Sequence, residues 1–377
     1  MAFTPETMRS DSEACVVADR SGCGARPALD ASTAVGSLST SGCSSPARSP
    51  ETCKNARFTS ALHTCPRARE AHATHGRARL RPPVPPLLVP LMSTDPTHPD
   101  LPSQPDTLAT IIAHKRDEVE RAKRERSEQV LRALASGKDK PRNFFQSVVK
   151  HVSEHTTAVI AEIKRKSPSA GWIRREYEGE GFDPADIARQ YHEAGASAIS
   201  CLTDERFFAG RLGYIEVVKA AVPLPVLRKD FILDPWQVWE SRAAGADAIL
   251  LIAECLSQSE LVDLSILARE LQMTTLVECH SMEQLLRVLP HVGFPERTYG
   301  LLGINNRDLT TMKVDLNHTT RLAMMIEDTS ILVSESGIRT AEDLAKLRRV
   351  GVRIVLVGES LMRHDSPGEA LSRLVAG

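Results

Sequence analysis

An acid and a base lie two residues apart at the end of one hydrophobic run. Glu162 and Lys164 close the segment 158–164, and the polar loop 165–171 follows at once. Side chains of a strand alternate between its two faces, so Glu162 and Lys164 are predicted to share one face. An acid and a base at the end of a buried strand are poor material for a core. With a loop rich in serine next to them, they indicate a site for an anionic substrate.

Eight strand-like runs alternate with helical patterns after this point. Strands are predicted at 159–163, 198–202, 225–227, 248–252, 274–277, 299–304, 331–333 and 352–357. Helices are predicted at 184–194, 214–221, 236–244, 258–271, 282–289, 317–326 and 341–350, and from Asp365 or Ser366 to Leu374. Gly195, Gly245 and Gly351 are predicted to form helix-to-strand turns, each ending a helix. Eight such pairs over about 220 residues, with continuously apolar strands, predict an α/β fold, the (β/α)8 TIM barrel. A doubly wound open sheet is the alternative, but no GxGxxG follows the first strand.

Extra helices are predicted before the first strand. A helix capped by Asp106 carries Leu108, Ile111, Ile112 and Val119 on one side, and a second short helix is predicted around 144–149.

The chain before these helices has a different composition. Residues 1–104 are rich in Ser, Ala, Arg, Pro and Thr and have no sustained helical or strand period, so we predict a low-complexity, disordered extension. The catalytic domain is predicted to span 105–377. A cleaved targeting peptide is an alternative, although acids such as Glu6 and Asp11 weigh against it. A start codon assigned too early is another, with Met92 as the alternative start.

The overall composition excludes several classes of partner. The net charge is −1, with 42% apolar and 25% charged residues, which gives no bulk electrostatic case for nucleic acid or an anionic membrane. No apolar run has the length that spans a bilayer. No CxxC pair occurs, and Cys201, Cys255 and Cys279 lie in or next to apolar runs, as core cysteines of a reducing compartment do. We therefore expect a cytoplasmic, monomeric protein that binds a small molecule.

Ionisable residues follow the predicted strands at their C-terminal ends, where active sites of this fold lie. The groups that would converge on one mouth are Lys164, Lys229, Glu162, Glu278 and Glu335. Ion pairs are the structural interpretation, and Glu335 is the best candidate for one. Buried pairs are costly to desolvate, however, so this many at one end indicates acid–base chemistry. No cluster has metal-ligand spacing, so we expect neither a metal nor a cofactor.

Two further features of the rim point to the ligand. Ser336 and Gly337 follow the seventh strand, and Gly358, Glu359 and Ser360 follow the eighth. These two loops and a short helix form the standard phosphate site of a TIM barrel. Aromatic residues on rim loops, among them Trp172, Phe208 and Phe231, indicate a flat aromatic part of the ligand, with ordinary loop packing as the alternative.

Taken together, these segments resemble the indole-3-glycerol-phosphate synthase family. The matching segments are 161–169, 227–232, 245–251, 276–278, 303–309, 334–338 and 357–362. The resemblance runs from about Asp106 to the C-terminus and implies a reaction of tryptophan biosynthesis. In it, 1-(2-carboxyphenylamino)-1-deoxyribulose 5-phosphate closes a ring and loses carbon dioxide and water, leaving indole-3-glycerol phosphate.

The resemblance also implies roles for the rim residues. Lys229 would be the general acid, and Lys164 would hold the substrate carboxylate. The remaining roles fall to a set of bases, positioning groups and substrate contacts. By resemblance these are Glu162 and Glu278 as bases, Asn305 and Glu335 as positioning groups, Ser167 and Arg307 as carboxylate helpers, Trp172, Phe208 and Phe231 around the aromatic ring, and Ser336, Gly337, Gly358, Glu359 and Ser360 around the phosphate.

Two other functions stay open. A related phosphate-binding barrel, such as the isomerase that makes this substrate, would not need the two lysines. A non-catalytic sensor of a phosphorylated ligand would tolerate loss of Lys229 or Glu278.

Overall fold

A closed barrel of eight parallel strands forms the centre of the chain. The computed structural model describes residues 107–308 and 311–376. The strands are β1 (Ala158–Ile163), β2 (Ala198–Leu202), β3 (Val226–Lys229), β4 (Ala248–Ile252), β5 (Thr274–Cys279), β6 (Gly300–Asn305), β7 (Leu332–Glu335) and β8 (Ile354–Val357). Each strand pairs with the next, and β8 pairs with β1, which closes the barrel. The predicted TIM barrel is confirmed.

Helices surround the barrel and cover its ends. Three precede it, α1 (Thr107–Glu125), α2 (Glu128–Ser136) and α3 (Phe144–Glu154). The others are α4 (Pro184–Glu193), α5 (Glu205–Phe208), α6 (Tyr214–Ala221), α7 (Pro235–Ala243), α8 (Gln258–Glu270), α9 (Met282–Val288), α10 (Asn317–Ala323), α11 (Ala341–Arg349), α12 (Glu359–Met362) and α13 (Pro367–Ala376). A short antiparallel hairpin, Lys166–Ser167 with Gly171–Trp172, follows β1.

The helices α2 and α5 were not among the predicted elements, and the four strands β3, β5, β6 and β7 extend beyond their predicted C-terminal ends. β3 continues through Arg228 and Lys229, and β5 continues through Glu278 and Cys279. Hydrophobic patterning ends at the charged side chain, whereas the ladder is made by backbone hydrogen bonds and continues past it. The charged residues that begin the site therefore lie on strands, which fix their backbone positions.

The inside of the barrel is apolar at the end opposite the site. Strand residues such as Ile160, Leu227 and Ile354 meet there in one buried cluster. The helix α3 closes this end, because Phe144 and Val148 are fully buried against the same cluster. Burial of each such side chain is worth about 1.5–3 kcal/mol.

Glycines in left-handed conformation end three helices before the next strand begins. Gly195, Gly245 and Gly351 have φ of 84°, 87° and 82°, values that side chains with a Cβ rarely adopt. The helix-to-strand turns predicted at these residues are confirmed. The predicted extension 1–104 and the helix cap Asp106 lie outside the described residues, and the boundary at 105 stays a prediction.

The buried ammonium of Lys115 holds helix α1 against the C-terminal end of the barrel strands, opposite the end that α3 closes. Lys115 is 1% exposed, and its Nζ lies 3.0 Å from both Asp204 Oδ2 and Asp230 Oδ1. Glu118 adds a third carboxylate at 2.9 Å. Burial alone would lower the pKa of Lys115, but these carboxylates outweigh it and raise the pKa. Lys115 lies on the otherwise apolar face of α1, beside the buried Ile111, and joins this helix to the ends of β2 and β3.

We predict that Lys115→Met lowers the free energy of unfolding by about 3–5 kcal/mol, because it leaves Asp204 and Asp230 buried without their ammonium. Lys123→Met is the matched control on the same helix. Lys123 pairs with Asp234, but its side chain is 32% exposed, so its loss should cost less than about 1 kcal/mol. Urea unfolding of both variants measures this difference. Equal losses would contradict a fastening role for Lys115.

Candidate functional site

A cavity of about 650 Å³ opens at the C-terminal ends of the strands. Every predicted site residue except Trp172 lines it. Apolar residues that were not predicted as site residues complete the wall, among them Leu108 and Ile111 of α1. The ionisable groups thus line a pocket that also offers apolar surface, which suits a ligand with both charged and aromatic parts.

Lys229, at the end of β3, lies between two buried carboxylates. Its Nζ is 2.9 Å from Glu278 Oε2 and 3.6 Å from Glu335 Oε2, and its side chain is 14% exposed. Burial alone would lower the pKa of Lys229. The negative charges of Glu278, Glu335 and Glu162 outweigh that effect and raise the pKa, so the side chain is an ammonium at neutral pH.

The two carboxylates around Lys229 are in unequal surroundings. Burial favours the neutral form of Glu278, but the neighbouring Lys229 and His280 outweigh it and hold the pKa of Glu278 well below its ordinary value. Asn305 Nδ2 donates to Glu278 Oε1 at 3.1 Å. Neither oxygen of Glu335 has a hydrogen-bond donor. Burial and the charge of Glu278 raise the pKa of Glu335 well above its ordinary value. The geometry therefore favours an ionised Glu278 beside a protonated Glu335.

Glu162 and Lys164 contact one another, as the alternation of the first strand predicted. Lys164 Nζ donates to Glu162 Oε1 at 2.6 Å, and both side chains line the cavity. Glu162 is 4% exposed at the end of β1, whereas Lys164 lies one residue beyond the strand. A Cβ at position 358 would overlap the carboxylate of Glu162, so Gly358 makes room for this pair.

The loops after β7 and β8 lie together, as predicted for a phosphate site. Ser360 Oγ donates to the carbonyl of Ile338 at 2.9 Å, which ties the two loops to each other. Ser336 and Gly337 both have left-handed backbone, with φ of 64° and 82°. Ser336 thus carries strain of a kind that clusters at binding sites.

Glu359, which was predicted to contact the phosphate, forms ion pairs through its side chain. The side chain of Glu359 is itself an anion, and it accepts from Arg363 at 2.7 Å and from Arg307 at 3.4 Å. Only its backbone N–H, at the start of α12, can face a phosphate. Arg307 also donates to the carbonyl of Met312 at 3.2 Å, so it connects the loop after β6 to α12.

The aromatic residues divide into two groups. Phe208 and Phe231 line the cavity, with ring centroids 6.3 Å apart and an angle of 42° between the rings. Trp172 does not line it. Its indole packs on the hydrophobic layer outside the barrel, with Arg165 and Lys166 over the ring at 5.4 and 5.5 Å. The hairpin places Ser167 in the cavity wall and Trp172 outside it. This position disfavours the expected contact between Trp172 and the ligand.

Several residues of the site could not be assigned from the sequence. His280 and Glu254 form a pair at 3.1 Å directly behind Glu278. Asn306 is buried and donates to the carbonyls of Glu335 and Ser336, which fixes the loop after β7. A histidine two residues after Glu278 was visible in the sequence, but its partner lies 26 residues away.

Among residues 107–308 and 311–376, no group of His, Cys, Asp and Glu side chains is arranged to hold a metal ion. In the same part of the chain, none of the helices combines the length and apolar character needed to cross a membrane.

Comparison with known proteins gives a consistent result. The family model described as Indole-3-glycerol phosphate synthase matches residues 108–374. The indole-3-glycerol phosphate synthase of Rhodopirellula baltica is 48% identical over 245 residues, which are 64% of this chain and 89% of that protein. The protein of the same name from Acidithiobacillus ferrooxidans is 45% identical over 269 residues, 71% of this chain and 98% of that protein.

Among solved structures, the tryptophan synthase subunit alpha of Legionella pneumophila str. Paris matches with a TM-score of 0.44 and 16% identity, over 62% of this chain and 98% of that chain. The sequence matches cover the whole barrel, including every residue that lines the cavity. On the family model and the two named relatives, the chain belongs to the indole-3-glycerol phosphate synthase family.

Proposed function

We propose that this protein converts 1-(2-carboxyphenylamino)-1-deoxyribulose 5-phosphate into indole-3-glycerol phosphate in tryptophan biosynthesis. The observation that carries the proposal is the ammonium of Lys229, held 2.9 Å from Glu278 inside a cavity that also holds the two predicted phosphate loops. An acid fixed opposite a base in a largely closed pocket is what ring closure followed by dehydration requires.

In the first step, the ring carbon that bears the carboxylate attacks the ketone carbon of the substrate. The ketone oxygen gains negative charge and takes a proton from the ammonium of Lys229, which leaves a hydroxyl group. Because the surrounding carboxylates favour the ammonium, Lys229 needs the developing alkoxide, a strong base, to release its proton.

In the second step, the carboxylate leaves as carbon dioxide and its bonding electrons return to the ring. In the third, the hydroxyl leaves with a proton as water, while a carboxylate removes a proton from the neighbouring carbon. Lys164 is the proposed partner of the departing carboxylate and a source of the proton for water. Glu162, 2.6 Å from Lys164, and Glu278 are the proposed bases.

The rest of the cavity suits the remaining parts of this substrate. We propose that the backbone N–H groups of Gly337, Gly358 and Ser360 bind the phosphate, with Arg339 and Arg363 supplying positive charge. Phe208 and Phe231 would enclose the aromatic ring. Asn305 and Glu335 would position Lys229 and the substrate hydroxyls.

We infer further that the protein acts in the cytoplasm as a monomer, without a nucleic-acid or membrane partner. The near-neutral net charge of −1 and the free thiols of Cys201, Cys255 and Cys279 support this inference. Light scattering after gel filtration tests the monomer, and a mass of two chains would contradict it.

The isomerase that makes this substrate is the second candidate. Its reaction moves protons within the sugar and has no use for a carboxylate-binding lysine beside the acid. Supplying each substrate to the protein and recording indole absorbance distinguishes the two. A sensor without catalysis would convert neither.

We predict that Lys229→Ala lowers kcat for indole-3-glycerol phosphate formation by about 10³-fold or more, because the general acid is lost. Lys150→Ala is the matched control. Lys150 lies on α3 at the far end of the barrel, with a side chain that is 71% exposed. Circular dichroism should show both variants folded. Undiminished turnover by Lys229→Ala would remove Lys229 from the mechanism.

A second prediction concerns Glu335. A carboxyl with a raised pKa holds a proton in the folded protein that the unfolded chain releases above its ordinary pKa of about 4.3. The folded state therefore loses stability as the pH rises above that value, until the pH reaches the folded-state pKa. Glutamine cannot ionise, so Glu335→Gln should raise the free energy of unfolding at pH 8 by on the order of 1 kcal/mol while lowering turnover.

The gain from Glu335→Gln should shrink towards pH 4, where the unfolded chain also holds the proton. Urea unfolding at the two pH values measures it. Glu342→Gln is the control, since Glu342 is exposed and should change stability by less than about 0.5 kcal/mol at either pH. A loss of stability at pH 8 that is absent at pH 4 would show that Glu335 is ionised in the folded protein.

A third prediction separates the two aromatic groups. Phe231→Ala should raise KM about tenfold, which corresponds to about 1.4 kcal/mol of lost ring contact. Trp172→Ala should change KM by less than about twofold, because the indole packs outside the cavity. Steady-state kinetics of the two variants measure both values. An equal rise in KM would show that Trp172 reaches the substrate after all.

A further inference from the structure

His280 lies directly behind Glu278 and is enclosed by two carboxylates. Its side chain is 7% exposed, and it does not line the cavity. Its Nδ1 is 3.1 Å from Glu254 Oε2, and its Nε2 is 3.2 Å from Glu278 Oε1. Nε2 makes no in-line hydrogen bond, so its interaction with Glu278 is electrostatic.

Glu254 fixes the ring of His280 through two contacts. One carboxylate oxygen accepts the backbone N–H of His280 at 2.8 Å, and the other pairs with Nδ1. Glu254 lies in the short turn after β4, one strand away from Glu278. This arrangement sets the rotamer of the imidazole and leaves Nε2 facing Glu278.

The surroundings make His280 a cation. Burial alone would lower the pKa of His280, but its contacts with Glu254 and Glu278 raise it to about 10. His318 of α10 contacts the backbone of His280, and burial and the nearby Arg321 lower the pKa of His318. The charged groups that face the imidazolium are therefore Glu254 and Glu278, with Lys229 on the far side of Glu278.

The two carboxylates around Lys229 have unequal contacts, and His280 contacts only one of them. Glu278 contacts Lys229, Asn305 and His280, whereas Glu335 lies 3.6 Å from Lys229 and has no donor on either oxygen. One ammonium between two buried carboxylates would leave the location of the negative charge undecided. A fixed imidazolium on one side decides it.

We propose that His280, held by Glu254, is a positioning residue that keeps the negative charge on Glu278 rather than on Glu335. The proposal rests on the proposed function, in which Glu278 acts as a base. Glu254 and His280 do not touch the substrate; they act through the carboxylate that does.

Kinetics as a function of pH test the proposal. His280→Asn removes the cation, so Glu278 should bind a proton at higher pH. The acidic limb of kcat/KM should then move upward by about one pH unit, and kcat at neutral pH should fall about tenfold or more with little change in KM. Glu254→Gln keeps the shape of the site and should give the same shift in smaller measure. The double variant should have the same kcat and the same acidic limb as His280→Asn alone, because both substitutions act through the contact of His280 with Glu278.

His291→Asn is the matched control. His291 is a half-buried histidine that contacts Gln258 at 2.8 Å, outside the cavity, and its loss should leave the pH profile unchanged. An unmoved acidic limb in both His280→Asn and Glu254→Gln would overturn the proposal.

A second measurement does not depend on turnover. Nitrogen NMR of the imidazole should show His280 protonated at pH 8 in the full chain and neutral at that pH in Glu254→Gln. A neutral His280 at pH 7 in the unsubstituted protein would overturn the proposal. If instead His280 is protonated but the protein forms no indole-3-glycerol phosphate, the proposed function fails and the charge assignment stands.

Discussion

The structure of the site depends on one buried ammonium, that of Lys229, and on the carboxylates that make its charge tolerable. An isolated charge in a protein interior is costly, and Lys229 could not remain an ammonium without Glu278 at 2.9 Å. Two carboxylates around one ammonium leave an excess negative charge. A proton on Glu335, favoured by its burial and by the charge of Glu278, offsets that excess. The same contacts thus favour an ammonium beside an ionised carboxylate, which is what the proposed acid–base mechanism needs.

The barrel supplies the positions that this electrostatic arrangement needs. Glu278 pairs with Ile252 on one side and with Gly303 on the other, and Lys229 pairs with Leu202, so strand ladders fix both backbones. Gly303 leaves space for the carboxyl of Glu335, because a Cβ there would overlap it. The residue after Lys229 is Asp230, which holds Lys115 of α1. Helix α1, which lines part of the cavity, is thus bound to the residue next to the proposed general acid. This contact joins the stability of α1 to the geometry of the site.

The barrel and most of the charged residues at its mouth could be predicted from the sequence, because both depend on local patterns. The apolar runs and the glycine turns predict the barrel, and the fold then brings charged residues at strand ends together at one mouth. The ion pairs that join distant segments could not be predicted, because the residues around Lys115 and His280 in the sequence do not identify their partners. The sequence placed Trp172 on a rim loop, but the hairpin decides which way its indole faces, and the indole does not line the cavity.

The central claim is that the two carboxylates beside Lys229 carry different charges at neutral pH. Carbon NMR of the side-chain carboxyls, with Glu278 and Glu335 assigned through their glutamine variants, measures this directly. The account predicts that Glu278 is ionised and Glu335 protonated at neutral pH. Two ionised carboxylates at pH 7, or a protonated Glu278 beside an ionised Glu335, would contradict it.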